Sequence, residues 1–490
     1  MWVASAPDRV ALVDGGRAWT YGELDNAVRD TATWLTKSDI RPGDRVMLVC
    51  ENCVASVVLY LACTTIDAWP VIVNAKLSDR EIDEIAAHSA PRRMIFTTGV
   101  SPKARAHATR LGATSVDPAT FGAIAVTALN ESATAEPIDA TPDQNIAALI
   151  YTTGTTGKPK GVMLTHRNLM FVAKASAKAR ALTSDDRVYA VLPISHILGL
   201  TGVLLGSLVS GASVYLTSRF DPAAALKAIE HDRLSVMIGT PSMYALLCEY
   251  AARTKREIVK PALRLISSAG APLDAATKAN TERTFGQTLH NGYGITECSP
   301  TITLTSLNAP RSDCAIGRVL PGIETRLVDG ESNDVAAGET GELWIRSPGV
   351  MKGYYRAPEE TVQALTPDGW FKSGDLARFD DGNLFIVGRA KDLIIRFGFN
   401  VYPAEVEGVL NGFEGVARSA VIGIKNGDSE DVIAFVQPSP GASLTEAALA
   451  DYAAANLAPY KRPSKITLLD VLPMSPAGKV LKSELAALAA

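Results

Sequence analysis

Short runs of β-branched and other apolar residues alternate with longer segments that carry apolar residues at helical spacing. Runs of this length are typical of buried strands, and their alternation with helices predicts largely parallel strands in layered α/β sheets. The predicted strands cover residues 45–49, 69–73, 93–97, 146–151, 187–192, 213–216, 236–238 and 263–267. We therefore expect a large N-terminal α/β domain.

The pattern changes after about residue 310. Strands are predicted at 323–328, 341–345 and 383–387, separated by Gly and Asp turns without long helices, so we expect a β-rich subdomain over about 310–388. The last hundred residues have their own α/β pattern, with strands near 416–424 and 432–438 and helices near 404–410 and 444–457. The sequence thus predicts an N-terminal domain over 1–388 and a small mobile α+β C-terminal domain over 389–490, with a hinge near Lys391.

Residues 197–216 form a 20-residue run without a charge, which is long enough for a membrane span. Glycines and serines interrupt the run, and Gly211 is well placed to end a helix. We expect a buried helix followed by a buried strand, and no transmembrane segment. Because Asp8 and Arg9 stand where a signal peptide needs apolar residues, we also expect no export.

Composition excludes some classes of protein. The 48 Lys and Arg residues against 52 Asp and Glu give a formal charge of −4, which lacks the basic excess of a nucleic-acid binder. Six cysteines among 490 residues, without disulfide-like spacing, predict a reducing compartment and a cytoplasmic location. Cys50 and Cys53 form a CxxC, but no second pair follows to complete a zinc site, so structural thiols are the favoured interpretation.

The segment TTGTTGKPKG at 152–161 packs three glycines, four threonines and two lysines into ten residues. Its backbone amides, hydroxyls and charges suit polyphosphate, although composition alone leaves an inert surface turn open. It is not a Walker loop, because the required first glycine is replaced by Thr152. We predict that it links two strands, the second at 162–164, with Thr165 as N-cap of a helix over 166–179.

This segment resembles the phosphate loop of the adenylate-forming superfamily, whose usual form has serine at the position of Thr153. Four further segments match in order: NGYGITE at 291–297, SGD at 373–375, GRAKDLI at 388–394 and PAGK at 476–479. The resemblance covers essentially the whole chain and implies an ATP-dependent acyl-CoA ligase that uses ATP, Mg²⁺ and coenzyme A. Such an acid–thiol ligase converts carboxylate and ATP to acyl-AMP and pyrophosphate, then acyl-AMP and coenzyme A to acyl-CoA and AMP.

The resemblance also implies roles for individual residues. Thr152, Thr153, Gly154, Thr155, Thr156, Gly157 and the catalytic Lys158 would bind the β and γ phosphates. Thr296 would donate to the α phosphate, Glu297 would bridge Mg²⁺, and Asn291, Gly292 and Tyr293 would bind adenine. Asp375 would bind the ribose hydroxyls, Arg389 would reach the nucleotide, and Lys479 would bridge substrate carboxylate and α phosphate. For Asp375 the alternative is a plain turn residue, because Ser-Gly-Asp is a common turn tripeptide.

The resemblance further implies that His196 lines the acid pocket rather than acting as a base, and the other residues expected around the acid are small or apolar. The other predicted substrate residues are Gly239, Ala269, Gly270 and Ala271. The pocket is expected from residues 196–200, 237–241, 268–272 and 293–298. These segments contain no Arg or Lys to bind a second carboxylate and no Asp to bind an α-amino group, so malonate-like acids and amino acids are disfavoured as substrates.

We expect a fatty or other lipophilic monocarboxylate as the small-molecule partner, with an aromatic acid such as benzoate, coumarate or ferulate as the alternative. A non-catalytic nucleotide-binding scaffold is the alternative of another class. A homodimer is left open.

Overall fold

A computed structural model describes residues 2–117, 121–153, 159–397, 399–427, 429–474 and 480–489. The strands of this part of the chain are β1 Val10–Asp14, β2 Arg17–Thr20, β3 Arg45–Cys50, β4 Trp69–Asn74, β5 Arg93–Phe96, β6 Thr114–Val116, β7 Ile124–Val126, β8 Ile146–Thr153, β9 Pro159–Thr165, β10 Arg187–Ala190, β11 Ser213–Leu216, β12 Val236–Gly239, β13 Leu265–Ser268, β14 Leu289–Gly294, β15 Thr301–Leu304, β16 Arg318–Val319, β17 Glu324–Val328, β18 Gly341–Arg346, β19 Gly353–Tyr354, β20 Phe371–Asp380, β21 Asn383–Arg389, β22 Ile394–Arg396, β23 Phe399–Val401, β24 Val416–Asn426, β25 Ser429–Pro438 and β26 Lys465–Leu468.

The α-helices of the same residues are α1 Trp2–Ser5, α2 Tyr21–Lys37, α3 Val54–Thr65, α4 Asp79–Ser89, α5 Pro102–Arg110, α6 His166–Ala179, α7 Gly206–Ser210, α8 Pro222–His231, α9 Pro241–Thr254, α10 Ala275–Phe285, α11 Pro358–Ala364, α12 Pro403–Asn411, α13 Glu446–Asn456 and α14 Lys482–Ala489. A π-helix spans Leu198–Leu205, and short 3₁₀ turns include Thr296–Cys298 and Ala390–Asp392.

Two large sheets carry most of the first 355 residues. One has the order β16-β15-β14-β13-β12-β10-β11-β1-β2 and the other β19-β9-β8-β4-β3-β5-β7-β6. Their central strands are parallel, while β2 and β15 in the first sheet and β9 and β7 in the second are antiparallel to their neighbours. The prediction of largely parallel, layered α/β sheets is therefore confirmed, with antiparallel strands at the edges.

Helices cover both faces of each sheet, because both faces of the central strands are apolar. On β3, Leu48 faces a core shared by the two sheets, α2, α3 and the π-helix, whereas Val49 faces a second core with α4 and α5. On β12, Ile238 faces the shared core and Met237 faces α8, α9 and α10. Alternate residues of a strand point to opposite faces, so two apolar faces require helices on both sides.

The later part of the chain differs, as the sequence predicted. Strands β17, β18, β20 and β21 form an antiparallel four-stranded sheet, in the order in which they are named. From residue 394 onward, β22–β26, α12, α13 and α14 pack around two apolar cores of their own. A small C-terminal domain is thus present, while its limit at residue 388 and the hinge at Lys391, which lies exposed in the Ala390–Asp392 turn, stay predictions.

The uncharged run at 197–216 folds as a buried π-helix, the short helix α7 and strand β11. Gly211 ends α7 with a φ of 78°, a left-handed conformation that favours glycine. No helix in the described part of the chain is long and apolar enough to cross a membrane.

Candidate active site

The two described ends of the phosphate-loop segment lie on the paired strands β8 and β9. Thr152 pairs with Lys160 and Thr153 with Pro159 in antiparallel register, and Thr165 caps α6 by accepting a hydrogen bond from the Asn168 amide at 3.2 Å. The predictions that the segment links two strands and that Thr165 is the N-cap are therefore confirmed. Five of the predicted phosphate ligands, Gly154, Thr155, Thr156, Gly157 and Lys158, lie outside the described residues, as does the side chain of Thr153.

The NGYGITE segment runs along β14 into a 3₁₀ turn. Gly294 is needed for protein packing, because a Cβ there would lie 2.2 Å from the Pro300 carbonyl oxygen. A Cβ on Gly292 would make a tight contact, 3.1 Å from the Thr303 carbonyl oxygen. Asn291 is 3% exposed and donates to the carbonyls of Cys314 and Ala315 at 3.2 and 3.3 Å. Its side chain therefore positions a loop, and a direct contact between that side chain and adenine is not expected.

Asp375 lies inside strand β20, where it pairs with Arg389 of β21. Its carboxylate is almost fully buried, accepts a short hydrogen bond from the Tyr293 hydroxyl on Oδ2, and lies 2.8 Å from Arg389 Nε on Oδ1. The alternative of a plain surface turn is wrong, because the Ser-Gly-Asp step is a bend within a strand, with Gly374 at a φ of 68°. Three residues assigned to the nucleotide thus meet at one point.

The Tyr293–Asp375–Arg389 cluster can still bind a diol. Burial, followed by the adjacent Asp375 charge, raises the pKa of Tyr293 well above its usual value, so the phenol stays a donor at neutral pH. Each carboxylate oxygen has about two lone-pair sites, and the protein contacts described above use one on each oxygen. One acceptor site per oxygen therefore remains for the two hydroxyls of a ribose.

Glu297 stands in the Thr296–Cys298 turn, with Thr296 beside it and partly buried. Its Oε1 accepts a hydrogen bond from the Tyr354 hydroxyl at 2.9 Å, and its main-chain carbonyl accepts one from the Met351 amide at 2.8 Å. The described residues contain no group of three or more His, Cys, Asp or Glu that could hold a metal. A single carboxylate together with nucleotide phosphates is the ligand set that Mg²⁺ commonly takes, so Glu297 fits that ion.

The predicted acyl-pocket segments converge at the carboxyl ends of β12 and β13. The Ala269 amide donates to the Gly239 carbonyl at 3.1 Å. Gly270 has a φ of 85°, and a Cβ placed on it would lie 3.9 Å from Leu198 and 4.0 Å from Thr240. Ala271 follows, partly exposed. Three chain segments distant in sequence therefore come within contact distance, as a shared pocket requires.

His196 precedes the π-helix and is partly exposed. Its Nδ1 accepts a hydrogen bond from the Leu198 amide at 3.3 Å, and its carbonyl accepts one from the Leu200 amide at 3.0 Å. Because Nδ1 serves as an acceptor, the proton of the neutral ring lies on Nε2. This geometry favours a structural or pocket-lining role over that of a general base.

Asn52 is a residue that the sequence analysis missed. It is 3% exposed; its Nδ2 donates to the carbonyls of Ala190 and Leu192 at 2.9 Å, and its Oδ1 accepts from the Ile194 amide at 2.9 Å. The side chain therefore fixes the loop that leads to His196. Its place directly after the fully buried strand β3 was the available signal, since ligand sites of α/β sheets lie beyond the carboxyl ends of strands.

The comparisons with known proteins agree with this geometry. Residues 1–355 match the AMP-binding enzyme family and residues 405–479 match the AMP-binding enzyme C-terminal domain. The chain belongs to the AMP-binding enzyme family. The resemblance to the adenylate-forming superfamily, the fold class and the enzyme class, an AMP-forming acid–CoA ligase, are therefore confirmed.

Three known proteins are similar to this chain over nearly their full length. Feruloyl-CoA synthase from Amycolatopsis sp is 34% identical over 98% of this chain and 96% of its own. The structure of ATP-bound MatB from Rhodopseudomonas palustris has a TM-score of 0.86 at 30% identity, covering 99% and 96% of the two chains. O-succinylbenzoate coenzyme A synthetase from Bacillus subtilis, in complex with ATP and magnesium ion, has a TM-score of 0.83 at 28% identity, covering 99% and 98%.

Family membership confirms ATP, Mg²⁺ and coenzyme A as the cofactors and co-substrates expected from the sequence. The roles of the individual residues stay predictions. Lys479 lies outside the described residues, so the structure gives no position for its side chain.

Proposed function

We propose that the protein is an acyl-CoA ligase for an aromatic monocarboxylic acid with a polar ring substituent, of the hydroxycinnamate type. Tyr293, Asp375 and Arg389 would bind the nucleoside, and Glu297 would hold the Mg²⁺ that accompanies ATP. The ion would neutralise charge on the leaving pyrophosphate. The resemblance of the whole chain to a feruloyl-CoA synthase supports this choice of acid.

The observation that carries the proposal is a set of buried hydroxyls on chain segments that adjoin the predicted acyl-pocket residues. Thr201 in the π-helix, Ser268 before Ala269 and Thr301 on β15 are each at most 3% exposed, and their hydroxyls have no hydrogen-bond partner in the described part of the chain. A buried hydroxyl without a partner costs free energy. A phenolic or methoxy oxygen on a bound ring would supply that partner, whereas an alkyl chain would not.

The pocket hydroxyls predict a selective effect of Thr201→Val and Thr301→Val. Valine keeps the shape of threonine and removes the hydroxyl, so kcat/KM for ferulate should fall by roughly 10-fold for each hydroxyl that bonds the ring. Cinnamate, which has no ring oxygen, should lose less than about twofold on the same grounds. Steady-state thioester formation with both acids measures the difference.

Ser207→Ala is the matched control, because the Ser207 hydroxyl is buried in the next turn of the same segment and already donates to the Val203 carbonyl at 2.6 Å. This variant should change kcat/KM for ferulate and for cinnamate by the same factor. Equal losses with ferulate and cinnamate in the two threonine variants would contradict the assignment of the hydroxyls.

A coenzyme A-dependent screen tests the proposed substrate class. Ferulate, 4-coumarate, cinnamate, benzoate, hexanoate and decanoate are offered with ATP and Mg²⁺, and kcat/KM should be highest for the hydroxylated aromatic acids. A preference for alkanoates would replace the aromatic proposal with the fatty-acid alternative. Absence of turnover with every acid would favour the non-catalytic scaffold.

We also propose a cytoplasmic location, which the state of the thiols supports. All six cysteines are free, and five of them are buried. Burial raises the pKa of Cys53 to about 11, so this member of the CxxC pair is an unreactive thiol at neutral pH. Cell fractionation would test the location directly.

A further inference from the structure

Strand β19 holds Tyr354 between the strand that leaves the phosphate loop and the turn that carries Glu297. Tyr354 pairs with Val162 of β9, and its hydroxyl donates to Glu297 Oε1 at 2.9 Å. Three residues earlier in the chain, the Met351 amide donates to the Glu297 carbonyl at 2.8 Å. One short segment therefore fixes both the main chain and the carboxylate of Glu297.

Lys160 contacts the same tyrosine from the phosphate-loop side. Its Nζ lies 5.3 Å from the centroid of the Tyr354 ring and 2.5 Å from Glu360 Oε2 on α11. A cation over an aromatic face is attracted by the ring, so the Lys160–Glu360 pair limits movement of the Tyr354 side chain. The second lysine of the loop and the Glu297 carboxylate are thus joined through one aromatic ring.

We infer that Tyr354 is a positioning residue for Mg²⁺·ATP: its hydroxyl orients the Glu297 carboxylate toward the metal, and the Lys160–Glu360 pair keeps the ring in place. This inference rests on the proposed role of Glu297 in the ATP site. The sequence patterns assign no function to Tyr354, to Glu360 or to the contact between Tyr354 and Glu297.

The chemistry of the contact supports an orienting role. A phenol carries its proton at neutral pH and a carboxylate can only accept, so the Tyr354 hydroxyl is the donor in this contact. The donor occupies Oε1, while Oε2 makes no hydrogen bond to the residues that the structure describes. A carboxylate with one oxygen held by a neighbour presents the other in a fixed direction, and outer-shell partners of this kind typically change metal affinity or activity by about 10–100-fold.

Tyr354→Phe removes the one hydroxyl and keeps the ring. ATP binding is measured by calorimetry with the complete protein, first in EDTA and then with Mg²⁺. The wild-type protein should bind ATP more tightly with Mg²⁺ than without it. In the variant this gain in affinity should be about 10-fold smaller, while the affinity for metal-free ATP should change less than about twofold. The Mg²⁺ concentration for half-maximal adenylation should rise correspondingly, with the KM of the acid unchanged.

Tyr355→Phe is the control, since the neighbouring hydroxyl donates to Glu136 at 2.5 Å instead of to the site. It should leave the gain from Mg²⁺ unchanged. Glu360→Gln provides a second variant that keeps the Tyr354 hydroxyl and loosens Lys160, and it should give a smaller loss in the same direction. Rescue of Tyr354→Phe by higher Mg²⁺ concentration would support positioning.

Each outcome has one meaning. If wild type gains affinity from Mg²⁺ and Tyr354→Phe gains equally, the inference is overturned while the proposed function stands. If Tyr354→Phe weakens ATP binding by the same factor with and without metal, the hydroxyl is structural and the inference is again overturned. If wild type itself neither gains affinity from Mg²⁺ nor adenylates any acid, the proposed function fails and the inference fails with it.

Discussion

Replacing Lys479 by alanine should reduce acid adenylation by about 10²–10³-fold, the loss typical of removing one donor that stabilises charge in a transition state. By resemblance, this lysine bridges the substrate carboxylate and the α phosphate in the first half-reaction only. Thioester formation from supplied acyl-adenylate and coenzyme A should therefore be retained within about threefold, because a donor used in one step adds nothing to a step that does not involve it. Pyrophosphate release and acyl-adenylate consumption measure the two steps separately.

Lys425→Ala is a suitable control, since Lys425 is an exposed lysine on β24 of the same domain. It should leave both half-reactions unchanged. Equal loss of both steps in the Lys479 variant would contradict a role confined to adenylation, and retention of both would remove Lys479 from the site altogether.

Asp375→Ala should lower kcat/KM for ATP by at least about 10²-fold, because each hydrogen bond to a charged group contributes about 1.5–3 kcal/mol and the ribose offers two donors. The variant should also lose about 1–3 kcal/mol of unfolding free energy, since the buried Tyr293 hydroxyl is left without its acceptor. Kinetics with varied ATP and denaturant unfolding measure the two effects.

Two comparisons separate binding from folding in this prediction. Asp380→Ala changes an exposed carboxylate at the end of the same strand, 3.5 Å from Arg378, and should alter neither quantity. Wild type should discriminate strongly between ATP and 2′,3′-dideoxy-ATP, whereas Asp375→Ala should not. If the variant still discriminates as wild type does, Asp375 does not bind the ribose.

Local pattern was sufficient for much of the fold. The predicted strand at 213–216 and the predicted helix at 166–179 coincide with β11 and α6. The spacing of apolar residues, a glycine that ends an element and a threonine that caps a helix all act within a few residues, so the local sequence was enough to predict them. The strand predicted at 187–192 ends instead at Ala190, because Asn52, distant in sequence, takes the carbonyls of Ala190 and Leu192. A side chain from the loop between β3 and α3 thus contributes to that boundary.

In the candidate site, too, contacts between residues distant in sequence were not predicted from local pattern. Motif resemblance located Tyr293, Asp375 and Arg389, yet only the structure brings the three side chains into one cluster. The resemblance assigned Asn291, Gly292 and Tyr293 to adenine, whereas the structure shows that the second glycine of NGYGITE, Gly294, is required by the approach of the Pro300 carbonyl. Tyr354 and Asn52 were missed because their contacts to Glu297 and to the 190–194 loop span 57 and up to 142 residues, beyond any local pattern.

The residue composition of the predicted pocket does not distinguish fatty from aromatic acids. Small and apolar pocket residues fit both classes, so the composition of the pocket did not decide between them. The hydroxyls of Thr201 and Thr301, which have no hydrogen-bond partner among the described residues, support the proposed aromatic class only once their burial is known. Side-chain hydrogen bonding, unlike residue type, depends on the tertiary structure.

The most direct test of the ATP-dependent activation of an acid is isotope exchange between labelled pyrophosphate and ATP, without coenzyme A. Wild-type protein with Mg²⁺ and ferulate should exchange label into ATP, and omission of either the metal or the acid should abolish the exchange. Exchange that fails with ferulate and with every other lipophilic acid, in protein that is folded, would contradict the account.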